Sequence, residues 1–182
     1  MKFLPTKISD IVLIEPSFYP DTRGFFAEVY RKDVFAKNGI YTDFVQDNHS
    51  SSGKGALRGL HYQIPPKTQA KLVRVVEGEI YDVAVDIRRN SKTFGQYVGE
   101  ILSAKNRRMM YIPAGFAHGF LALEEGTEIL YKVSDFYSPE HERGVLWNDP
   151  SIAISWPKLG VDYSLSEKDK KCPSLKESFE AH

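Results

Sequence analysis

The chain has 182 residues, of which 24 are basic and 24 are acidic, and its formal net charge is zero. This length predicts one domain with a sizeable core, and the balanced charge excludes a broad basic surface for nucleic acid or an anionic membrane. Because the single cysteine, Cys172, cannot form an intrachain disulfide and no apolar run is long enough to span a bilayer, we expect a cytoplasmic protein without nucleic-acid or membrane partners.

The first part of the chain contains two strand-like segments and one helix-like segment. Ile8–Glu15 is mostly apolar, and Phe25–Tyr30 is rich in aromatic and β-branched residues after the turn sequence Pro20–Gly24. Arg31–Asn38, which is followed by Gly39, has the pattern of a short surface helix that ends at a glycine.

From residue 44 onward, short strand-like segments recur between glycine, proline and asparagine residues. Their regular spacing is typical of a β-sandwich or barrel. The alternation is clearest in Tyr81–Ile87, where apolar side chains are predicted to face the core while Asp82 and Asp86 face solvent or a polar lumen. The predicted strands are Phe44–His49, Leu57–Gln63, Leu72–Glu77, Glu79–Ile87, Tyr97–Leu102, Arg107–Ile112, Gly119–Leu123 and Glu128–Val133.

The C-terminal part of the chain is rich in loop residues after Ser134. Trp147 and Trp156 are predicted to pin an irregular flap. Ser166 and Asp169, three residues apart, can begin a helical turn as N-cap and capping-box partner. The sequence therefore predicts one domain over residues 1–182, with an N-terminal arm of about residues 1–30 and a flap of about residues 134–182.

The segment Ala56–Gln63 and the lysine that follows it carry the clearest chemistry. On alternating strand positions, Arg58, His61 and Lys71 can point into one concave site. Two cations beside a histidine that titrates near neutral pH would hold an anion next to a general base. A lone histidine in a strand is more often structural, and it is the neighbouring cations that favour a catalytic role.

A second histidine follows a proline and glycine turn in Ile112–Phe120. This segment resembles the second motif of the cupin superfamily, double-sheet jelly rolls that often bind a metal at the position of His118. The companion motif should contain a His-x-His pair, whereas His61 is followed by tyrosine and glutamine. Lys71 also disfavours a metal, since such sites need at least three N, O or S ligands. We expect no metal or other cofactor, and a three-histidine site that adds His49 is the alternative.

Nine segments carry a more specific resemblance, and they are Phe44–Ser50, Leu57–Gln63, Lys71–Arg74, Tyr81–Arg88, Gly115–Phe120, Leu130–Lys132, Tyr137–Pro139, Trp147–Pro150 and Leu165–Asp169. In this order they resemble the dTDP-4-dehydrorhamnose 3,5-epimerase family, with Ala70 in place of the family's usual glycine. The resemblance implies a homodimeric all-β protein, a double-stranded β-helix (jelly roll, cupin-like) with a few short peripheral helices. It also implies a cofactor-free isomerase that inverts C3 and C5 of dTDP-4-dehydro-6-deoxy-glucose in dTDP-rhamnose biosynthesis.

The resemblance implies a role for each candidate site residue. His61 would be the base and Asp169 would fix its tautomer, while Lys71 would hold the enolate and Tyr131 would donate a proton on the opposite face of the sugar. Asp82 has three open interpretations: pairing with Lys71, orienting a histidine, or facing solvent. The implied substrate contacts are Arg23 and Arg58 on the pyrophosphate, Tyr137 stacked on thymine, and Glu28, Gln46, Asp47, Asn48, Lys71, His118, Glu142 and Lys168.

Two features of these assignments leave alternatives open. Arg23 follows a turn and is equally consistent with a solvated loop arginine, and a partner chain can supply residues from the N-terminal arm.

Three other functions also stay open: an epimerase that inverts one carbon, a metal-dependent cupin enzyme, and a binding protein without catalysis. Product stereochemistry separates the first, and bound metal would identify the second. The third would need neither Tyr131 nor Asp169.

Overall fold

The computed structural model describes residues 1–180 and contains two antiparallel β-sheets packed face to face, with short helices at the periphery. The predicted all-β, double-sheet jelly roll is confirmed. The strands are β1 (Lys2–Pro5), β2 (Val12–Glu15), β3 (Phe18–Asp21), β4 (Gly24–Ala27), β5 (Gln46–Ser52), β6 (Leu57–Gln63), β7 (Lys71–Glu77), β8 (Glu79–Asp86), β9 (Tyr97–Ser103), β10 (Met109–Ile112), β11 (Phe116–Ala122), β12 (Thr127–Val133) and β13 (Glu142–Gly144). The helices are α1 (Lys32–Lys37), α2 (Glu167–Lys170) and α3 (Glu177–Glu180).

The two sheets enclose the main core and direct the polar residues of the site between them. The six-stranded sheet has the order β1-β2-β10-β7-β12-β5, and the five-stranded sheet has the order β13-β6-β11-β8-β9. Val73 and Val75 of β7 belong to the same core cluster as Ile80 and Ala84 of β8. Because alternate residues share a face of a strand, Lys71 on β7 also points between the sheets.

The outer face of the five-stranded sheet is covered by the C-terminal part of the chain. Val83 and Val85 pack in a second core cluster with Ile152 and Leu175. Both faces of β8 are therefore buried, and the expectation that Asp86 faces solvent or a polar lumen is wrong. Its fully buried carboxylate instead accepts hydrogen bonds from the side chains of Arg88, Ser91 and Thr93.

In the N-terminal arm, the predicted strands are shorter than expected and one of them belongs to a hairpin. The strand expected at Ile8–Glu15 is restricted to β2, and the one expected at Phe25–Tyr30 is restricted to β4. β3 and β4 pair as a hairpin outside both large sheets and expose large aromatic side chains, among them Tyr19, Phe25 and Phe26. The predicted short helix is confirmed as α1. Within residues 1–180, no helix has the length and apolar character needed to cross a membrane.

The C-terminal flap is held by hydrogen bonds within itself and by a contact with β6. The Trp156 indole donates a hydrogen bond to the Trp147 carbonyl at 2.9 Å. Ser166 caps α2, as predicted, and its Oγ accepts from the Asp169 amide at 3.1 Å. The Asp169 carboxylate, expected as the reciprocal capping-box acceptor, is turned instead towards β6, where it meets His61.

Candidate active site

Two adjoining cavities of about 220 and 160 Å³ lie between the sheets. His61, Lys71 and Tyr131 line both of them and form their common boundary. The outer cavity is also lined by Gln46, Asn48, Tyr62, Gln63, Gln69, Tyr137 and Glu142, and the inner cavity by Ser50, Arg58, His118, Phe120 and Ile129. The structure therefore brings the predicted base, enolate holder and proton donor to one place.

A β-bulge allows Arg58 and His61 to share this site. These residues are three positions apart, and a regular strand would direct them to opposite faces, so simple alternation does not explain their placement. Between them, Gly59 and Leu60 lie opposite Gly119 alone on β11. Gly59 has φ of +128°, and a β-carbon there would lie 2.5 Å from the Gly119 Cα. Only glycine fits this close approach, which returns the strand to the correct face.

His61 forms a pair with a carboxylate from the C-terminal flap. Its Nε2 lies 2.6 Å from Asp169 Oδ1, and Asp169 is only 3% exposed. Burial favours the neutral acid, but the hydrogen bond and charge of His61 prevail and hold the pKa of Asp169 below its usual 3.8. Since a carboxylate only accepts, Nε2 must donate, and in the neutral ring Nδ1 keeps a free electron pair. The pair is thus arranged as a base.

Lys71 and Tyr131 face this histidine from the six-stranded sheet. Lys71 is 8% exposed, and its Nζ donates to the His61 carbonyl at 3.3 Å. Burial lowers the pKa of Lys71 to about 8, against the opposing charges of Asp82 and Glu142. Burial also raises the pKa of Tyr131. At neutral pH the cavity therefore presents an ammonium group and a protonated phenol opposite the imidazole.

Arg58 is anchored beside the inner cavity by β5. Its Nε donates to Ser52 Oγ at 3.1 Å and its Nη2 donates to the Ser51 carbonyl at 2.9 Å. These two bonds fix the plane of the guanidinium and leave further donors available for an anion.

A hydrogen-bonded group closes the rim of the outer cavity. The Tyr137 hydroxyl donates to Glu142 Oε2 at 2.7 Å, and Lys168 Nζ lies 2.5 Å from the same oxygen. Burial alone would raise the pKa of Glu142, but these two partners lower it. The contacts hold the half-exposed Tyr137 ring in place at the cavity mouth.

Four predicted substrate contacts line neither cavity, and one of them, Lys168, reaches the rim of the outer cavity through Glu142. Asp47 is on the opposite face of β5 from Gln46 and Asn48, because alternate strand residues point to opposite sides, and it pairs with Lys132 at 2.8 Å. Arg23 bonds to Asp21 at the tip of the β3–β4 hairpin, and its side chain is 87% exposed. Glu28 follows the hairpin and pairs with Arg31 at 3.5 Å.

The three-histidine alternative is not assembled. His49 is exposed, and its Nε2 contacts Glu128 at 2.9 Å on the surface, whereas His61 and His118 line the inner cavity. Among residues 1–180, no three or more His, Cys, Asp or Glu side chains are grouped so that they could hold a metal ion.

Two glutamines of the outer cavity were not selected from the sequence as substrate contacts. Gln63 donates to the Lys67 carbonyl and accepts from the Ser138 amide, and it thereby holds the loop that carries Tyr137. Gln69 likewise donates to the Asp135 carbonyl. Each lies two residues from a candidate catalytic residue, and this period of two is the signal that could have identified them.

Comparison with known proteins gives consistent matches over nearly the whole chain. The sequence model of the dTDP-4-dehydrorhamnose 3,5-epimerase family matches residues 5–177. A dTDP-4-dehydrorhamnose 3,5-epimerase of Pseudomonas aeruginosa is 55% identical over 172 residues, which cover 94% of each chain.

Solved structures are similar to the same extent. The dTDP-6-deoxy-D-glucose-3,5-epimerase of Legionella pneumophila Philadelphia 1, in complex with dTDP-4-keto-L-rhamnose, has a TM-score of 0.93 and 49% identity, covering 96% of this chain and 93% of that one. A 3′-monoepimerase of Streptomyces bikiniensis in complex with dTDP-quinovose has a TM-score of 0.90 and 34% identity, covering 97% of this chain and 89% of that one. The region matched by the family includes both cavities and Asp169.

Proposed function

The chain belongs to the dTDP-4-dehydrorhamnose 3,5-epimerase family and is an isomerase, and we propose that it converts dTDP-4-dehydro-6-deoxy-glucose into dTDP-4-dehydro-rhamnose by inversion at C3 and C5. The observation that carries the proposal is the His61–Asp169 pair, which faces Lys71 and Tyr131 across one cavity. Both carbons adjoin the C4 ketone. Removal of a proton from either one therefore gives an enolate, and the chain's own side chains suffice without a cofactor.

His61 acts as the base. Its Nδ1 accepts the carbon-bound proton, and the Asp169 carboxylate stabilises the imidazolium that forms. The C–H electron pair moves onto the C4 oxygen, and the Lys71 ammonium holds the resulting charge. A buried cation is effective here because little water competes for the oxygen.

Tyr131 returns a proton to the opposite face of the sugar. β6 and β12 belong to different sheets, and His61 and Tyr131 therefore approach a sugar in the cavity from opposite sides. Burial keeps the phenol protonated, which suits an acid. After each inversion the phenolate and the imidazolium regain their starting states by exchange with solvent.

The nucleotide is held by the surrounding polar groups. Arg58 binds the pyrophosphate, since its guanidinium is already fixed beside the inner cavity. Tyr137 stacks on thymine at the rim, with Glu142 and Lys168 beside it. His118, Gln46 and Asn48 complete the contacts from this chain.

The test uses the substrate in deuterated water with proton NMR of the sugar. Wild type should incorporate deuterium at C3 and C5 and form the epimer, whereas deuterium at one carbon would identify a single-carbon epimerase. His61→Ala should abolish exchange because no enolate forms. Tyr131→Phe should keep exchange with retained configuration and lose most product. Equal loss of exchange in both variants would refute the division of labour.

A second copy of the chain completes the site in this proposal. Arg23 and Glu28 lie on or beside an exposed hairpin that does not reach the cavity of its own chain. An isolated two-stranded hairpin with exposed aromatic side chains is only marginally stable, which favours docking on a partner.

Mixing two inactive variants tests this dimer. Arg23→Ala and His61→Ala chains, unfolded and refolded together, would form mixed dimers with one intact site, and random pairing predicts about a quarter of wild-type activity. Failure to recover activity would refute the exchange.

The free, partly buried Cys172 fits the reducing cytoplasm that we propose as the compartment.

A further inference from the structure

Asp82 is a buried carboxylate that the mechanism above does not use. It lies on β8 between Ile80 and Ala84, both core residues on the same face, and it is fully buried. Its Oδ1 lies 2.7 Å from His118 Nε2, whereas its Oδ2 is buried without a hydrogen-bond partner among residues 1–180. Burying a carboxylate with a free oxygen costs free energy, and a buried charged pair can often be replaced by well-packed apolar side chains without loss of stability, so packing alone does not explain this aspartate.

The first effect of Asp82 is on the ring of His118. Because the carboxylate only accepts, His118 Nε2 must carry a hydrogen. Burial lowers the pKa of His118 and favours the neutral ring, in which Nδ1 is then an acceptor. Within the part of the chain that the structure describes, only Asp82 hydrogen-bonds to this ring, which lines the inner cavity. His118 thus offers an electron pair to a hydroxyl group.

The second effect of Asp82 is on Lys71. The charged and titratable groups around Lys71 are Asp82 on β8, Glu142 on β13, Arg58 and His61 on β6, His118 on β11 and Tyr131 on β12. Only two of these groups are carboxylates, and Glu142 already binds Lys168 and Tyr137. Asp82 opposes the effect of burial on the pKa of Lys71 more strongly than Glu142 does.

We propose that Asp82 is a positioning residue that supplies the internal counter-charge of the Lys71 ammonium and fixes the His118 ring beside it. The inference rests on the proposed function, because it gives that ammonium the task of holding the enolate. Without Asp82, the desolvated lysine would lose its proton at a lower pH and could no longer stabilise a negative oxygen.

Asp82→Asn tests the charge with little change of shape, since the amide oxygen can still accept from His118. The rate of deuterium incorporation is measured from about pH 6 to pH 10. Wild type should lose activity with a midpoint near pH 8, where Lys71 titrates, whereas Tyr131 titrates higher and His118 lower. In Asp82→Asn the midpoint should move down by about 1 pH unit or more.

Glu100→Gln is the matched control. Glu100 lies directly opposite Asp82 on β9, its substitution removes the same charge, and Glu100 is not among the groups that shift the pKa of Lys71. This variant should keep the wild-type midpoint. An unchanged midpoint in Asp82→Asn, or an equal loss of rate at every pH, would overturn the proposal, because a merely structural role scales the rate without moving the midpoint.

A thermal-unfolding measurement tests the pairing of Asp82 with Lys71 independently of enzymatic activity. Asp82→Asn should lower the melting temperature because it leaves Lys71 without its counter-charge, and Asp82→Asn/Lys71→Met should regain most of the loss. If the single variant does not fold, a folded double variant supports the pairing. No recovery in the double variant overturns it. Absence of exchange in wild type at every pH would refute the proposed function instead, and the melting temperatures would still test the pairing.

Discussion

Asp169→Asn should impair the base without disturbing the cavity. Asp169 Oδ1 accepts from His61 Nε2 at 2.6 Å, and the buried carboxylate also accepts from the Gly59 amide. An asparagine has one acceptor oxygen, and its NH2 group would face a donor in one of the two places. Loss of one hydrogen bond to a charged group is worth about 1.5 to 3 kcal/mol.

If this stabilisation is expressed in the transition state, the rate of deuterium exchange should fall about 10- to 150-fold. Glu167→Gln is the control, because Glu167 is on the same short helix, is 75% exposed and pairs with Lys170 on the surface. Exchange is followed by proton NMR in deuterated water. A rate for Asp169→Asn within twofold of Glu167→Gln would show that Asp169 neither fixes the tautomer nor stabilises the imidazolium.

Three further predictions concern ligand binding, metal and stability. Arg58→Ala should weaken dTDP binding by about 1.5 to 3 kcal/mol in calorimetry, and unchanged affinity in a folded variant would exclude a pyrophosphate contact. Full activity should survive exhaustive chelation, and a loss reversed by zinc, iron or manganese would contradict the metal-free scheme. Asp86→Asn should lower the free energy of unfolding, because four side-chain hydrogen bonds lose a charged acceptor. Burial alone would raise the pKa of Asp86, but these hydrogen bonds prevail and lower it below 3.8. The difference in stability between wild type and Asp86→Asn should therefore be present above about pH 4 and shrink as the pH falls.

The strands that the sequence predicts well are those with apolar residues at alternate positions. Leu57–Gln63 has the bounds of β6, and the predicted strands at β7, β8, β9 and β12 differ by one residue at an end. β13 consists of Glu142, Arg143 and Gly144, and a strand of three residues without an apolar side chain, which pairs with the edge of β6, has no apolar period that could reveal it. β3 contains Pro20, a residue that argues against a strand, and it belongs to a separate hairpin, where the alternation of apolar residues that marks a core strand is not expected.

The candidate site residues were predicted from the sequence with two kinds of information. His61, Lys71 and Arg58 could be grouped from the chemistry of nearby residues, whereas Tyr131 and Asp169 were selected only through the family resemblance. The structure supplies what neither source contains. The bulge at Gly59 depends on a close approach to Gly119, a contact between residues distant in sequence. Asp86 appears surface-facing in the sequence because the segment that buries β8 comes much later in the chain.

The late position of Asp169 has a consequence for synthesis on the ribosome. His61 and Asp169, the proposed catalytic pair, are 108 residues apart, and Asp169 is held by α2, which can form only after the strands have been synthesised. All the described strands of both large sheets precede it, including β13, which closes the edge beside β6. A nascent chain can therefore pair most of its strands while His61 has no carboxylate partner. Enzymatic competence should arise in one late step of translation, and chains released before Asp169 should fold in part but never catalyse.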